Sequence, residues 1–337
     1  MAITTGATGR MGVAKETTYG GLTAPAELVH LNSESIDRVI EMAEKDHLIS
    51  TKAGYAPPDQ KFIKVVGGLQ AEANYQTNDL LWALAMGGAC SIAGGTAPYT
   101  HKILLTDLPS RSLSACIEKT QNVWNLEGLV IDKFNFTLSP SNSPGVIDMD
   151  TIVEDLTRNT THRAALAALS DPGTPRIMFS HTAKLWLGDL TDALVTGDVQ
   201  DISEFKLTLD NHFTPDHRTF PTTQFIKQPA RNGKKEVFVE LTYPRMETET
   251  LHAWMDAQTY LQMSFTCGIT ISTVAYSFLI ELPTLVLESV SSQYAGPEIV
   301  PIKAKFRACR NTGNTFLTGT EEFNIETHNS RAAIIWA

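Results

Sequence analysis

Several residue groups in the 337-residue sequence could carry chemistry, and each asks for a specific setting. Gly6-Ala7-Thr8-Gly9-Arg10-Met11-Gly12 has the spacing of a dinucleotide loop, whose glycines let a backbone approach a pyrophosphate held at a helix N-terminus. That chemistry needs a buried strand before the loop and a helix after it. Only five residues precede Gly6, and Glu16-Thr17-Thr18-Tyr19-Gly20-Gly21 follows, a run unsuited to a sustained helix. The segment reads instead as a glycine-rich terminal arm, and no cofactor is expected.

His212 and His217, with His181 elsewhere, lack Cys or carboxylate partners at metal-ligand spacing and read as solvated loop residues. Cys90, Cys116, Cys267 and Cys309 are far apart with no CxxC pair, so they read as buried thiols. No GxSxG, HExxH or P-loop pattern occurs. Trp82, Trp124, Trp186 and Trp254 could stack on bases or sugars, but they read as core, Trp254 most clearly. Catalytic, cofactor and metal sites are all expected to be absent.

The elements that would position these groups are mostly strands. Apolar residues alternate with polar ones at Phe134, Phe136 and Leu138, at Phe205, Leu207 and Leu209, and at Ala304, Phe306 and Ala308. Two helices are expected, over Thr77–Met86 and Thr248–Gln258. Each follows the same order of elements. A strand (about 33–41), a long polar loop (42–61) and a strand (62–76) precede the first helix; a strand (202–210), a loop (211–234) and a strand (235–243) precede the second. Further strands follow both. The order implies an internal duplication, with the Pro- and Gly-rich stretch near residues 161–176 as the linker.

Composition is that of a globular chain, with 42% hydrophobic and 19% charged residues and no apolar run long enough for a membrane span. The start of the sequence lacks the basic and apolar regions of a secretory signal, so the expected compartment is the cytoplasm. There the acceptor patterns at Asn135 and Asn159 carry no glycan. A formal net charge of −10 argues against gripping nucleic acid, since phosphate binding needs clustered cations. It suits a surface past which DNA must slide.

Gly12-Val13-Ala14-Lys15-Glu16-Thr17-Thr18-Tyr19-Gly20, followed by Pro25 and Leu31-Asn32-Ser33-Glu34-Ser35, resembles the opening of siphophage major tail, or tail tube, proteins. Gly67-Gly68-Leu69-Gln70-Ala71-Glu72-Ala73 and Asp201 to Asn211 resemble later strands of that family. The resemblance implies a mainly β fold of two tandem tail-tube β-sandwich domains, each with one flanking α-helix: an arm over 1–30, sandwiches over 31–160 and 177–337, and a linker over 161–176. It implies a virion tail component that polymerises with itself as stacked rings, together with tail tip (initiator), tape-measure and tail terminator proteins. DNA would pass through without specific binding.

A duplicated subunit is expected to close as a trimer with pseudo-sixfold symmetry. Roughly twenty-four strands at about 4.8 Å spacing, tilted, enclose a backbone diameter near 40–50 Å, wide enough for a duplex. The rival readings are a hexamer with an outer decoration domain and a carbohydrate-binding adhesin. Loop residues Lys45, Tyr55, Pro57, Pro58, Phe220, Pro221 and Phe225 are the expected contacts between rings. Glu34, Asp37, Glu41, Glu72, Asp201, Glu204, Glu236 and Glu240 are the candidate acidic lining of the lumen.

Overall fold

A computed structural model of the chain describes residues 10–43, 59–87, 90–106, 111–119, 122–171, 173–215, 226–245, 249–292, 301–311, 313–317, 322–333 and 335–336. The protein is mainly β. Its first half contains β1 (Met11–Lys15), β2 (Glu27–Val29), β3 (Leu31–Glu34), β4 (Asp37–Ala43), β5 (Asp59–Glu72), α1 (Asp79–Met86), β6 (Cys90–Ala93), β7 (Tyr99–Leu104), β8 (Leu113–Lys119), β9 (Asn122–Leu138), β10 (Val146–Val153) and β11 (Asp155–Asn159). A short helix, α2 (Arg163–Ala168), sits in the stretch read as a linker. The second half contains β12 (Lys184–Asp189), β13 (Glu204–Asp210), β14 (Phe213–Thr214), β15 (Ala230–Arg231), β16 (Glu236–Tyr243), α3 (Thr250–Asp256), β17 (Tyr260–Ile271), β18 (Val274–Ser292), β19 (Ile302–Ala308) and β20 (Asn324–Asn329).

Eight of these strands form one antiparallel run, in the order β4, β5, β10, β9, β13, β16, β19, β18. The first four and the last four follow the same order: two strands joined by a long connection, then the strand that follows the bent strand in the chain, then the bent strand itself. β9 and β18 each serve two layers. The start of β9 pairs with β8 and β11, and its end with β10 and β13. The start of β18 pairs with β17 and β20, and its end with β19.

Irregularities occur at matching places. The β10–β9 register skips Asp132 next to the Asp150–Lys133 pair; the β19–β18 register skips Glu288 next to the Lys305–Ser289 pair. A bulge bends a strand and strengthens its local twist, which is how one strand can leave one layer and enter another.

The alternation read from the sequence is the burial pattern observed. Phe134, Phe136, Leu138, Phe205, Leu207, Leu209, Ala304 and Phe306 are all at most 1% exposed, while Lys133, Asn135, Thr137, Lys206 and Lys305 stand on the other face. Both helices lie within the segments expected, each shorter by a turn or less. In the first half, Gly67 is required by close approach. A Cβ there would stand 2.5 Å from Ile36 Cα, where the chain bends from β3 into β4.

α1 is buried along its whole length and joins the halves. Trp82 packs against Phe134 and Phe136 of the first half, with ring centroids 4.3 and 5.8 Å away, and against Phe278 of the second at 5.5 Å. Asn211 ties the same joint: its Nδ2 donates to Ala85 O and Ile131 O at 3.0 and 2.9 Å. Outside this joint, β7 pairs with β20 across the half boundary. Residues 10–30, expected as an arm, are built into the sheet instead, with β1 between β2 and β8. Gly12 of the dinucleotide-like motif is therefore a strand residue; Gly6 and Gly9 lie outside the described residues.

Two outcomes follow. Trp82→Ala should lower stability by about 3–5 kcal/mol, as large buried aromatics do, in urea unfolding followed by circular dichroism; a loss under about 1 kcal/mol would mean that α1 does not join the halves. Asp79, fully buried at the start of α1, has its carboxyl pushed up to about 7 by burial, against the opposing pull of Arg331 and of bonds from Asn329 and Thr327. A raised folded-state value means stability is greatest below the ordinary carboxyl range and is lost as pH rises toward about 7. In Asp79→Asn, that part of the fall between about pH 4 and pH 7 should disappear from the urea midpoint; an unchanged slope would contradict the assignment.

Candidate functional site: a polar concave face and two sheet edges

The face of the eight-strand run that points away from the core is concave and polar. Its hollow is lined by Lys133, Asn135, Thr137, Asp148, Asp150, Lys206, Thr208, Asp210, Phe238, Glu240 and Lys305. Charges here pair across neighbouring strands. Lys206 Nζ lies 3.5 Å from Glu240, Lys305 Nζ lies 3.5 Å from Glu288, Lys64 lies 2.7 Å from Glu41, and Arg307 bridges Glu236 and Glu288. Thr208 Oγ1 donates to Asn135 Oδ1 at 2.8 Å across the β13–β9 seam, and Gln70 Nε2 donates to Asp148 at 2.7 Å. The result is a hydrated wall of mixed sign with acidic groups in excess.

The expected acidic lining divides on this geometry. Glu240 lines the hollow itself, Glu204 and Glu236 alternate with Lys206 and Phe238 on the same side of their strands, and Glu41 is opposite Phe62 next to Lys64. Glu72 shares the Gln70 side of β5 and binds Arg176 at 2.8 Å. Asp37 is on the outermost strand, 2.7 Å from Arg158. Glu34 is opposite the buried Leu69, on the core side, and pairs with Lys119; the register irregularity between Leu31 and Ser33 puts it there. Asp201 precedes β13 and borders a different groove, beside Tyr243, Trp254 and Ile302.

The same wall holds residues that the sequence reading passed over. Lys303, Lys305 and Arg307 form a basic row on β19, and Asp148, Asp150 and Asp210 extend the acidic set. The signal was present for β19: Lys303, Lys305 and Arg307 alternate with Ala304, Phe306 and Ala308, whose spacing marked the buried side.

The run ends in two edges that have one strand neighbour each among the described residues. β4 pairs only with β5 along its length, and the end of β18 only with β19. Val39, Ile40 and Met42 on β4 are 50%, 44% and 52% exposed, a concentration of apolar surface that a sheet edge does not ordinarily show to water. Two outward N–H groups of this edge are held by nearby carboxylates, Ile36 by Glu34 Oε2 at 3.2 Å and Arg38 by Asp37 Oδ1 at 2.7 Å.

The expected ring-contact residues Lys45, Tyr55, Pro57, Pro58, Phe220, Pro221 and Phe225 lie outside the described residues, as does His217. Described parts of the 211–234 loop fold back on the chain's own sheet, with Ile226 1% exposed against Val130 and Ile152. His212 approaches Glu236 and Asp210 at 3.3 and 3.4 Å. Among the described residues no group of three His, Cys, Asp or Glu side chains is placed to hold a metal ion.

A concave polar wall on a long antiparallel sheet, with no metal cluster among the described residues, fits a structural subunit. Residues 6–308 match the family described as phage tail tube protein, and the chain belongs to that family. Its members are structural, and the chain is not an enzyme. No curated protein sequence matches it.

Because the wall's ion pairs are largely solvated, removing one should barely affect the fold. Lys206→Ala, at a pair 38% and 49% exposed, should change unfolding free energy by less than about 1 kcal/mol. A loss of about 3 kcal/mol or more in urea titration would make the wall part of the folding core rather than a working surface.

Proposed function

We propose that the chain is the building block of a DNA-conducting tail tube, polymerising as stacked trimeric rings with pseudo-sixfold symmetry through which the phage genome leaves the capsid. The observation that carries this is the eight-strand run with its repeated order and two edges that have one strand neighbour each among the described residues. Each four-strand set takes the place of one short subunit in a sixfold ring. Three copies then supply roughly twenty-four strands, enough for a lumen that admits a duplex.

In this reading residues 31–160 and 177–337 are two tube domains, with 161–176 between them and the strands of residues 10–30 completing the first. The concave wall lines the channel. Its carboxylates repel phosphate, and its lysines, engaged with neighbouring carboxylates, offer weak contacts rather than a binding site. DNA therefore passes without being held. Assembly takes place in the host cytoplasm, initiated at a tail tip complex, measured by a tape-measure protein and closed by a terminator, with the loops around Tyr55 and Phe220 contacting the next ring.

Negative-stain electron microscopy of the purified protein at high concentration tests the reading through end-on views. Rings or tubes with threefold character are expected. Sixfold rings of whole chains would replace the trimer with a hexamer carrying an outer domain, and monomers that bind glycans would point to an adhesin.

A further inference from the structure

The chain contains a worked example of the junction it must make with its neighbours. β9 and β13, one from each half, pair antiparallel with Lys133 opposite Asp210 and Asn135 opposite Thr208. The Asn211 N–H donates to Asp132 O at 2.8 Å, so residues opposite one another on the polar face are the non-hydrogen-bonded pairs, whose side chains approach most closely.

The matching bulges transfer this register to the open edges. Ser289 takes the place of Lys133, because each is the last residue paired before the skipped Glu288 or Asp132. On the other side, Gly68 and Glu240 correspond, since they are opposite Asp150 and Lys305. Their strand partners are Ser35, whose N–H donates to Gly68 O at 2.9 Å, and Lys206. Counting forward from Ser35 and Lys206, Val39 takes the place of Asp210 and Ile40 that of Asn211.

We propose that the end of β18 in one copy pairs with β4 of the next copy in this register, with Ser289 opposite Val39, Ser291 opposite Asp37, and Glu288 C=O accepting from the Ile40 N–H. The proposal rests on the tube reading and specifies its seam. It gives the outward N–H groups of Ile36 and Arg38 backbone acceptors in place of the carboxylates of Glu34 and Asp37 that hold them in the single subunit. It also covers Val39 and Ile40, two of the large apolar side chains left exposed at that edge.

A second feature agrees. Trp254 follows Glu240 at the same interval as Trp82 follows Gly68. Trp82 is sealed by Phe278 of the other half, whereas Trp254 is half-buried beside an open groove. In the ring the neighbouring copy's first half takes the place that the second half takes over Trp82.

Cysteine pairs read the register directly. In assembled rings of the Val39→Cys, Ser289→Cys double variant, mild oxidation should give disulfide-linked dimers and trimers on non-reducing gels, absent from the parent chain and from either single variant. A non-hydrogen-bonded pair has Cα atoms about 4.5 Å apart, within disulfide reach. Val39→Cys with Ser291→Cys, two residues out of register, should cross-link at least about tenfold more slowly. Rings that form without the first cross-link, or in which the second pair reacts as fast, would overturn the register while leaving the tube standing. Folded double variant and parent that both remain monomeric at high concentration would overturn the tube reading and the seam together.

Discussion

Everything in this molecule depends on satisfying backbone hydrogen-bonding groups along one long antiparallel sheet. A buried or apolar-flanked N–H or C=O without a partner costs as much as a lost hydrogen bond or more. Inside the chain the two halves meet that demand for each other at the β9–β13 seam, where strands from separate halves form a continuous ladder. At the outer ends the demand remains, met for the present by the side chains of Glu34 and Asp37. A protein with such edges either pairs with itself or needs devices to stop doing so. Here the carboxylates of Glu34 and Asp37 hold two of the N–H groups of the β4 edge.

The bent strands β9 and β18 make the arrangement possible. Each begins in one layer and ends in the other, turning at bulges that fall at corresponding positions. One strand thus holds both layers at a fixed spacing, and α1, packed between the halves around Trp82, locks their relation. The polar face is free of folding duties as a consequence. Its charges form shallow cross-strand pairs of little energetic weight.

Much of this was legible in the residues. Period-two alternation around Phe134, Phe205 and Phe306 identified strands of the eight-strand run and their buried side. What was not legible depended on long-range pairing. β1 and β2 are short and flanked by Gly and Pro, so nothing local distinguishes them from an arm; pairing of β1 with both β8 and β2 makes them strands. Glu34 stands opposite the buried Leu69 because a register irregularity inverts the alternation there, and a one-residue slip moves every side chain to the opposite side. The alternation of Lys303, Lys305 and Arg307 with Ala304, Phe306 and Ala308 is local, but the carboxylates that face this basic row, Glu236, Glu240 and Glu288, are set by the pairing of β19 with β16 and β18.

The most direct test of the central claim is a cryo-EM reconstruction of the assembled tube, traced well enough to count inner strands per chain. Eight strands from every copy, with each β18 continuing into the next copy's β4, is the expected result. A lumen lined by only one half of each chain, the other half lying outside the wall, would contradict it.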